Sequence, residues 1–442
     1  MSKRPLFTNR LTTIITMIGV SVGLGNVWRF PYMMGEYGGS AFLFIYLIFT
    51  LLFAVPAVMV EWGLGRSTRS APVGAFTKMW GNRAGTIIGF MLLFTVLIAE
   101  SYYLYVIANI TYATGFSLLQ GFSAENIPLF KRNLSDPLIQ YGIILVLLLF
   151  SYVVLHKGLK KGIESISKIF VPFFAVVMIF LIVFALNMEH AGKYLWAFLS
   201  ADFSELKPIH IFAALGQAFF SLGLGGTFLL VFGSYMRKEE DLVKSSFFMA
   251  IGDISAALLA GLFIVPTVLA LGLDMSAGPG LLFNTLPELF QRLPFGRIAG
   301  SFFLLALFMV TFISSIAALQ VLLSGLTEVF GSKMSRKRLI ISILLVVAVI
   351  ILPITLHPDV IGLLDLVFGS GMQILGSLLA LLAFSWGQSK KDAIKAIFAG
   401  TKNITPDSTI KPWQLYFYYW VKWCVPLVLI VVLAGYIISK LG

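Results

Sequence analysis

Charge is the scarcest property of this 442-residue chain: Asp, Glu, Lys and Arg together make up 12% of it, against 59% hydrophobic residues. With a mean hydropathy of +0.94, that excludes an ordinary water-soluble domain, which needs far more polar surface. Cysteine is almost absent; Cys424 stands alone, so no intramolecular disulfide can form. Histidine is nearly as rare. His156, His190, His210 and His357 all fall at segment ends, no His-Glu-x-x-His run exists, and no nucleophile has a histidine partner inside an apolar segment. These absences argue against an intramembrane hydrolase, and the chain is not expected to be an enzyme.

Apolar runs are abundant instead. Eleven stretches, near 11–34, 41–65, 85–120, 137–155, 165–187, 211–235, 245–273, 297–329, 338–356, 360–387 and 414–438, reach the length of a membrane span, roughly 20 apolar residues. The expected fold class is an all-α membrane protein with eleven transmembrane helices, its main partner a lipid bilayer. A net charge of +12 suits nucleic acid on paper, but the basic residues sit in short loops between the apolar segments, and only their sidedness is informative. No nucleic-acid partner is expected.

The sidedness is strong. One set of alternate loops holds Lys3, Arg4 and Arg10, then Arg66, Arg69, Lys78 and Arg83, then Lys157, Lys160, Lys161 and Lys168, and continues so through Lys333–Arg338 to Lys390, Lys391, Lys395, Lys402 and Lys411. The other set holds only Lys131, Arg132, Lys193, Lys207, Arg292, Arg297 and Lys440. The rule that basic loops stay inside predicts a multi-pass protein of the cell's inner (plasma) membrane with a cytoplasmic N-terminus and, for an odd helix count, an extracytoplasmic C-terminus. The first segment lacks a small-residue cleavage site and reads as retained rather than as a signal peptide. Trp413, Tyr416, Phe417, Tyr418, Tyr419, Trp420 and Trp423 form an interfacial belt where the last segment begins.

Two apolar segments, five apart, are interrupted by glycine in a similar way: Gly19-Val-Ser21-Val-Gly23-Leu-Gly25-Asn26 and Ser221-Leu-Gly223-Leu-Gly225-Gly226-Thr227. Such pairs point to a transporter built from an inverted repeat with its site at the midplane. The predicted halves are 1–187 (helices 1–5) and 208–387 (helices 6–10), followed by 413–442 (helix 11), together one transport domain. A small-xxx-small packing motif accounts for Gly19 and Gly23, but not for the polar Asn26 and Arg29 that follow. The stretch 274–296 reads either as a lid over an outer vestibule or as a plain tether.

The polar residues inside the apolar segments are Arg29, Glu61, Glu100, Asp253 and Asp365, with Ser21, Asn26, Tyr103, Gln217, Ser221, Ser314 and Ser315. This oxygen-rich, sulfur-free set suits a hard cation such as sodium. A broken helix offers free N–H groups at one half-helix end and free C=O groups at the other, so a single break can hold a carboxylate beside a cation. A zwitterionic substrate beside sodium fits that description.

Val22-Gly-Leu-Gly-Asn-Val-Trp-Arg-Phe-Pro31, Glu61-Trp62, Ser101-Tyr-Tyr103, Gly216-Gln-Ala-Phe-Phe-Ser221 and Ser234-Tyr-Met-Arg-Lys238 resemble the neurotransmitter:sodium symporter family. Eleven helices resemble its bacterial members, including the multi-hydrophobic amino acid and tyrosine transporters. The resemblance implies a leucine-transporter-like five-plus-five fold with helices 1 and 6 broken, and sodium-coupled import of an amino acid by alternating access. It implies a first sodium held by Ser21, Asn26, Ser221 and Asp253, and a second held by Gly19, Val22, Val310 and Ser314. Ile313 stands where the family usually has a Thr or Asp ligand, which weakens the second site. The substrate carboxylate would meet Leu24, Gly25 and Tyr103, its amine Ser21, Phe220 and Ser221, with Glu100, Gly223, Gly226, Ser314 and Ala318 completing the pocket. Gly23 occupies the position where monoamine transporters carry an Asp, which favours an amino acid. Asp253 replaces the neutral Asn of chloride-requiring members, so chloride is not expected to be required.

The resemblance also assigns gates. Arg4, Phe7, Tyr235 and Glu328 match the inner network; Arg29 matches the outer arginine, with Phe368 at its usual partner's position and Asp365 the nearest acid. Gly162 and Pro172 frame a Gly-x9-Pro stretch that either unwinds during transport or simply kinks the helix. Glu100 implies a sizeable substrate side chain with a donor or positive charge; alternatively Ser315 satisfies it, and a bulky apolar or aromatic amino acid fits. A proton-coupled carrier and a non-transporting sensor of the same fold remain alternatives, and the sequence leaves the oligomeric state open.

Overall fold

A computed structural model describes residues 4–441 except 38, 189–190, 201–202, 205, 274–280 and 402–409. Lys3, His190, the 275–280 stretch and Lys402 lie outside the described residues. In lipid, backbone N–H and C=O groups must be satisfied within the protein, and a helix does this within one segment. Accordingly, every regular element among the described residues is helical. In chain order they are α1 (Arg10–Ser21), α2 (Gly25–Glu36), α3 (Gly39–Thr68), α4 (Pro72–Trp80), α5 (Asn82–Leu119), α6 (Ile127–Leu134), α7 (Pro137–Gly158), α8 (Glu164–Leu186), α9 (Ala191–Leu199), α10 (Pro208–Ser221), α11 (Phe228–Gly233), α12 (Leu242–Ala270), α13 (Thr285–Arg292), α14 (Gly296–Phe330), α15 (Arg336–Leu356), α16 (Pro358–Trp386), α17 (Lys390–Phe398) and α18 (Pro412–Gly435).

Eight helices among the described residues are long and apolar enough to cross a membrane, or nine when α1 and α2, bent 58° apart, are taken as one span. In that count α7 and α8 form one 50-residue run, about 75 Å if straight and far beyond a bilayer core of ~30 Å. Gly158, at φ 76, breaks the helical path between them. Polar caps mark several helix starts: the Asn9 side chain accepts from the Thr12 N–H at 2.9 Å, and the Asp241 side chain from the Lys244 N–H at 3.1 Å.

The core sits around α14, whose most apolar stretch is 72% buried, against 28% for the α7–α8 run. α14 packs along α5 and α8 and touches α1, while α12 packs on α1, α2 and α8. At the periphery, Leu149 and Val176 are 68% and 66% exposed, an apolar outside that only a lipid solvent tolerates. The two interrupted helices, α1–α2 and α10–α11, therefore meet inside the bundle.

Candidate functional site

α1 ends at Ser21 because Val22 turns extended, with ψ 119. Gly23 follows where no side chain fits: a β-carbon there would stand 2.9 Å from the Tyr103 hydroxyl and 3.2 Å from Ser314 Oγ. The Tyr103 hydroxyl thereby reaches the Leu24 backbone N–H. α2 then starts at Gly25, and its Asn26 and Val27 N–H groups donate to the Gly23 carbonyl at 3.2 Å each. The second break, 222–227, rests on Gly223 and Gly226 at φ 67 and 69, a left-handed backbone that a β-carbon would strain. Glu61 Oε1 accepts from the Gly225 and Gly226 N–H groups at 3.0 Å each, replacing helical partners this stretch has lost. Gln217 Nε2 donates to the Gly25 carbonyl at 3.0 Å and ties the two breaks together.

Asn26, Ser221 and Asp253, from α2, α10 and α12, converge between the breaks and are all buried. Asn26 Nδ2 donates to Ser221 Oγ at 3.0 Å, to Asp253 Oδ1 at 2.9 Å and to the Asp253 carbonyl at 3.1 Å. Ser221 Oγ donates to Asp253 Oδ2 at 2.6 Å. One amide group has two hydrogens for these three acceptors, so oxygen lone pairs of Ser221 and Asp253 are left over. Ser21 and the buried Tyr46 hydroxyl also face Asp253. Asn26 turns its Nδ2 to this cluster while its Oδ1 accepts from the Gly23 N–H at 3.2 Å; the remaining atoms are oxygen, the chemistry of a hard cation.

A second oxygen cluster lies around Ser314 of α14. Ser314 Oγ stands 3.2, 3.2 and 3.3 Å from the carbonyls of Val20, Val22 and Val310; a hydroxyl has one hydrogen to share among them. From the last turn of α1 the Val20 carbonyl reaches Ser314. Gly19 instead abuts Ile313, whose Cδ1 would lie 3.3 Å from a β-carbon there. Ile313 is fully buried and fills that side with hydrocarbon.

Ser21, Leu24, Gly25, Glu100, Tyr103, Phe220, Ser221, Gly223, Ser314 and Ala318 line one cavity of about 510 Å³, within the range of small-molecule sites. Gly226, expected in this pocket, is not in its wall: its N–H is held by Glu61, and its Cα faces the Gly376 backbone. Gly223 does open the cavity, with nothing within 4 Å of a β-carbon placed on it. Leu282 and Phe283, from the 274–296 stretch, also line it. The helical piece expected there is α13, anchored by buried Leu286, Leu289 and Phe290, the last against Phe303 at 5.8 Å.

The bundle is closed at the end that holds the N-terminal segment. The Arg4 guanidinium lies 3.6 Å from the Glu328 carboxylate and donates to Ser234 Oγ at 3.0 Å, while Glu328 accepts from the Ala71 and Gly74 N–H groups at 2.9 and 3.3 Å. Phe7 is fully buried, its ring 6.3 Å from both Phe232 and Tyr235. The Tyr235 hydroxyl bonds to Ser324 at 2.5 Å and accepts from Gln320 at 2.8 Å. Next to this network, Leu159–Ile163 winds as a wide π-type turn around Gly162, and Pro172 lies inside α8.

The opposite end holds Arg29, Asp365 and Phe368. Arg29 makes no ion pair with Asp365; its guanidinium sits 4.3 Å over the Phe220 ring, a cation–π contact. Asp365 accepts from the Tyr102 hydroxyl at 3.1 Å, and Phe368 packs edge-on against Phe94 at 6.0 Å. The Phe220 ring takes the guanidinium, and Tyr102 supplies the donor the acid needs.

The description "Sodium:neurotransmitter symporter family" matches residues 4–128 and 130–440. A sodium-dependent transporter of Haemophilus influenzae, itself uncharacterised, is 31% identical over 341 residues, 74% of each chain. Another, from Methanocaldococcus jannaschii, is 28% identical over 408 residues, 87% of this chain and 82% of its own. The crystal structure of MhsT in complex with L-phenylalanine is similar throughout, with a TM-score of 0.86 and 29% identity over 98% of this chain and 100% of that one. The chain belongs to the sodium:neurotransmitter symporter family.

Several residues of this symporter's site carried no signal in the sequence. Tyr46, buried against Asp253 and Ser221, sits in an apolar run where a tyrosine looks like any other span residue. Glu164 accepts from both the Thr8 N–H and hydroxyl, at 3.0 and 2.7 Å, and so pins the N-terminal segment to the start of α8. Burial pushes the Glu240 carboxyl up from its ordinary value, although Ser245 and Thr13 donate to it.

Proposed function

We propose that this symporter imports an amino acid together with sodium by alternating access, and that it is not an enzyme. One observation carries the reading: donors and oxygens face each other across the same helix break. The Leu24 N–H and the Tyr103 hydroxyl sit on one side, and the Asn26–Ser221–Asp253 cluster on the other. The donors would take the substrate carboxylate, and Ser21, Phe220 and Ser221 would surround its amine. A sodium ion held by Ser21, Asn26, Ser221 and Asp253 supplies the positive charge that Asp253 and the substrate carboxylate share. The missing side chain at Gly23 leaves room for that carboxylate, and the L-phenylalanine bound to MhsT supports an amino acid. The Ser314 cluster, with Val22, Val310 and Gly19 nearby and Ile313 on one side, is a second and poorer sodium site.

The topology in this reading has eleven spans: α1–α2, α3, α5, α7, α8, α10–α11, α12, α14, α15, α16 and α18. The halves 1–187 and 208–387 form the inverted repeat, with 413–442 the last span. The bias of Lys and Arg toward one set of loops puts the N-terminus in the cytoplasm and the C-terminus outside an inner (plasma) membrane. The Arg4–Glu328 network then seals the cytoplasmic side while the cavity faces outward, and Arg29 over Phe220 roofs the substrate. Inward release requires the Arg4–Glu328 and Phe7–Tyr235 contacts to separate.

The test is uptake of labelled amino acids into proteoliposomes under an imposed sodium gradient. One charge across 100 mV supplies about 2.3 kcal/mol, which at about 1.4 kcal/mol per tenfold concentrates substrate roughly forty-fold. Accumulation driven by sodium is expected. Accumulation driven equally by a proton gradient without sodium would favour the proton-coupled alternative, and binding without accumulation would favour a sensor.

A further inference from the structure

Glu100 is a carboxylate that neither ion cluster uses. It sits on α5 three residues before Tyr103, so the two share a helix face, about one turn apart along the cavity wall. It is 2% exposed and lines the same cavity as Tyr103. Its Oε1 accepts one hydrogen bond, from Ser315 Oγ at 2.5 Å. Among the described residues no other hydrogen bond and no ion pair reaches it, although an ionised carboxylate accepts about four. Around it the wall is apolar: Leu92, Val96, Ala99, Phe228 and Ala318. A carboxylate buried with a single donor is costly, and either a proton or a ligand's donor relieves it.

We propose that Glu100 is the specificity residue of the substrate pocket and selects an amino acid with a large, mostly apolar side chain bearing an N–H donor. The proposal rests on the amino-acid reading above and narrows it. A substrate anchored by its carboxylate at Leu24 and Tyr103 runs its side chain along the α5 face toward Glu100. The open space at Gly223 accommodates its bulk, and the apolar wall holds its stem. Aliphatic ammonium and guanidinium groups, imidazole and indole all supply the donor; a plain hydrocarbon of the same size leaves Glu100 short of one. Rejection of a ligand lacking a hydrogen bond that the site expects is stronger than rejection on size alone.

The experiment is thermal stabilisation of the purified full-length protein in sodium, with ligand pairs matched in shape: lysine against 2-aminoheptanoic acid, and tryptophan against its benzothiophene analogue, which lacks the N–H. At least one donor-bearing member is expected to bind tenfold or more tighter than its partner. Glu100→Gln should remove that preference while keeping both the sodium response and the binding of the donor-free member. An unchanged ranking in Glu100→Gln overturns the proposal, as does a wild-type protein indifferent to the N–H in both pairs; the latter needs no variant to fold. An unchanged ranking together with loss of pH-dependent uptake overturns it in favour of a proton carrier at Glu100. If no amino acid stabilises the protein, the amino-acid reading fails and this inference with it; if amino acids bind without regard to the N–H, only the inference fails.

Discussion

Around Asn26 the polar atoms come from side chains of three helices and include a carboxylate, that of Asp253. Around Ser314 they are three backbone carbonyls and one hydroxyl, with the hydrocarbon of Ile313 closing one side. The contrast is one of charge and of origin. A buried carboxylate interacts with a cation far more strongly than carbonyl dipoles do, so the Asn26 cluster can bind a cation with few ligands. It is written in side chains and is therefore open to attack by substitution. The Ser314 cluster is set by where α1 ends, and its one variable part is what flanks Ser314.

Breaking the stronger cluster should have the largest effect. Asn26→Ala removes the amide that donates to both Ser221 and Asp253 and leaves the buried carboxylate with fewer donors. The expected result is sodium binding weakened tenfold or more, at least about 1.4 kcal/mol, read as a loss of sodium-dependent thermal stabilisation. Ser221→Ala should act in the same direction. If both variants respond to sodium as the wild type does, the cluster is not a sodium site.

Improving the weaker cluster should have a smaller effect of opposite sign. Ile313→Thr places a hydroxyl beside Gly19 and Ser314. Without sodium, that buried hydroxyl lacks a good partner and should cost about 1–3 kcal/mol of stability. With sodium, the loss should be recovered, and uptake should depend more steeply on sodium concentration. Equal destabilisation with and without sodium would mean that the added oxygen faces no cation, and that Ile313 is plain packing.

The same contrast explains what could be read from the sequence. Apolar runs and the paired glycine interruptions announced the breaks, because an unwound helix in lipid needs glycine and polar neighbours such as Glu61. Asn26, Ser221 and Asp253 were legible because polar side chains inside apolar segments are rare. Contacts that depend on rotamer and packing were not. The resemblance left the partner of Arg29 open, with Asp365 only the nearest acid; the guanidinium lies over Phe220 and the acid turns to Tyr102. Gly226 looked like pocket space, yet its missing side chain admits the Gly376 backbone instead.

The smallest expected effect is none at all, and it concerns chloride. An anion helps a cation site whose own ligands are neutral. Here Asp253 is fully buried, receives donors from Asn26 and Ser221, and is faced by the Tyr46 hydroxyl. The negative charge is therefore already built in. A second anion within about 5 Å of that carboxylate would meet repulsion on the order of 3 kcal/mol at an effective dielectric of 20, enough to keep it out at ordinary concentrations. Replacing chloride by gluconate should leave the initial rate of sodium-driven uptake within about a factor of two, the scatter expected of a non-specific salt effect. Asp253→Asn removes the fixed charge without changing the shape of the site. It should slow uptake in both anions, and less in chloride than in gluconate, because the neutral site then gains from a nearby anion. Wild-type uptake that stops in gluconate would show that Asp253 does not supply the charge the cation needs.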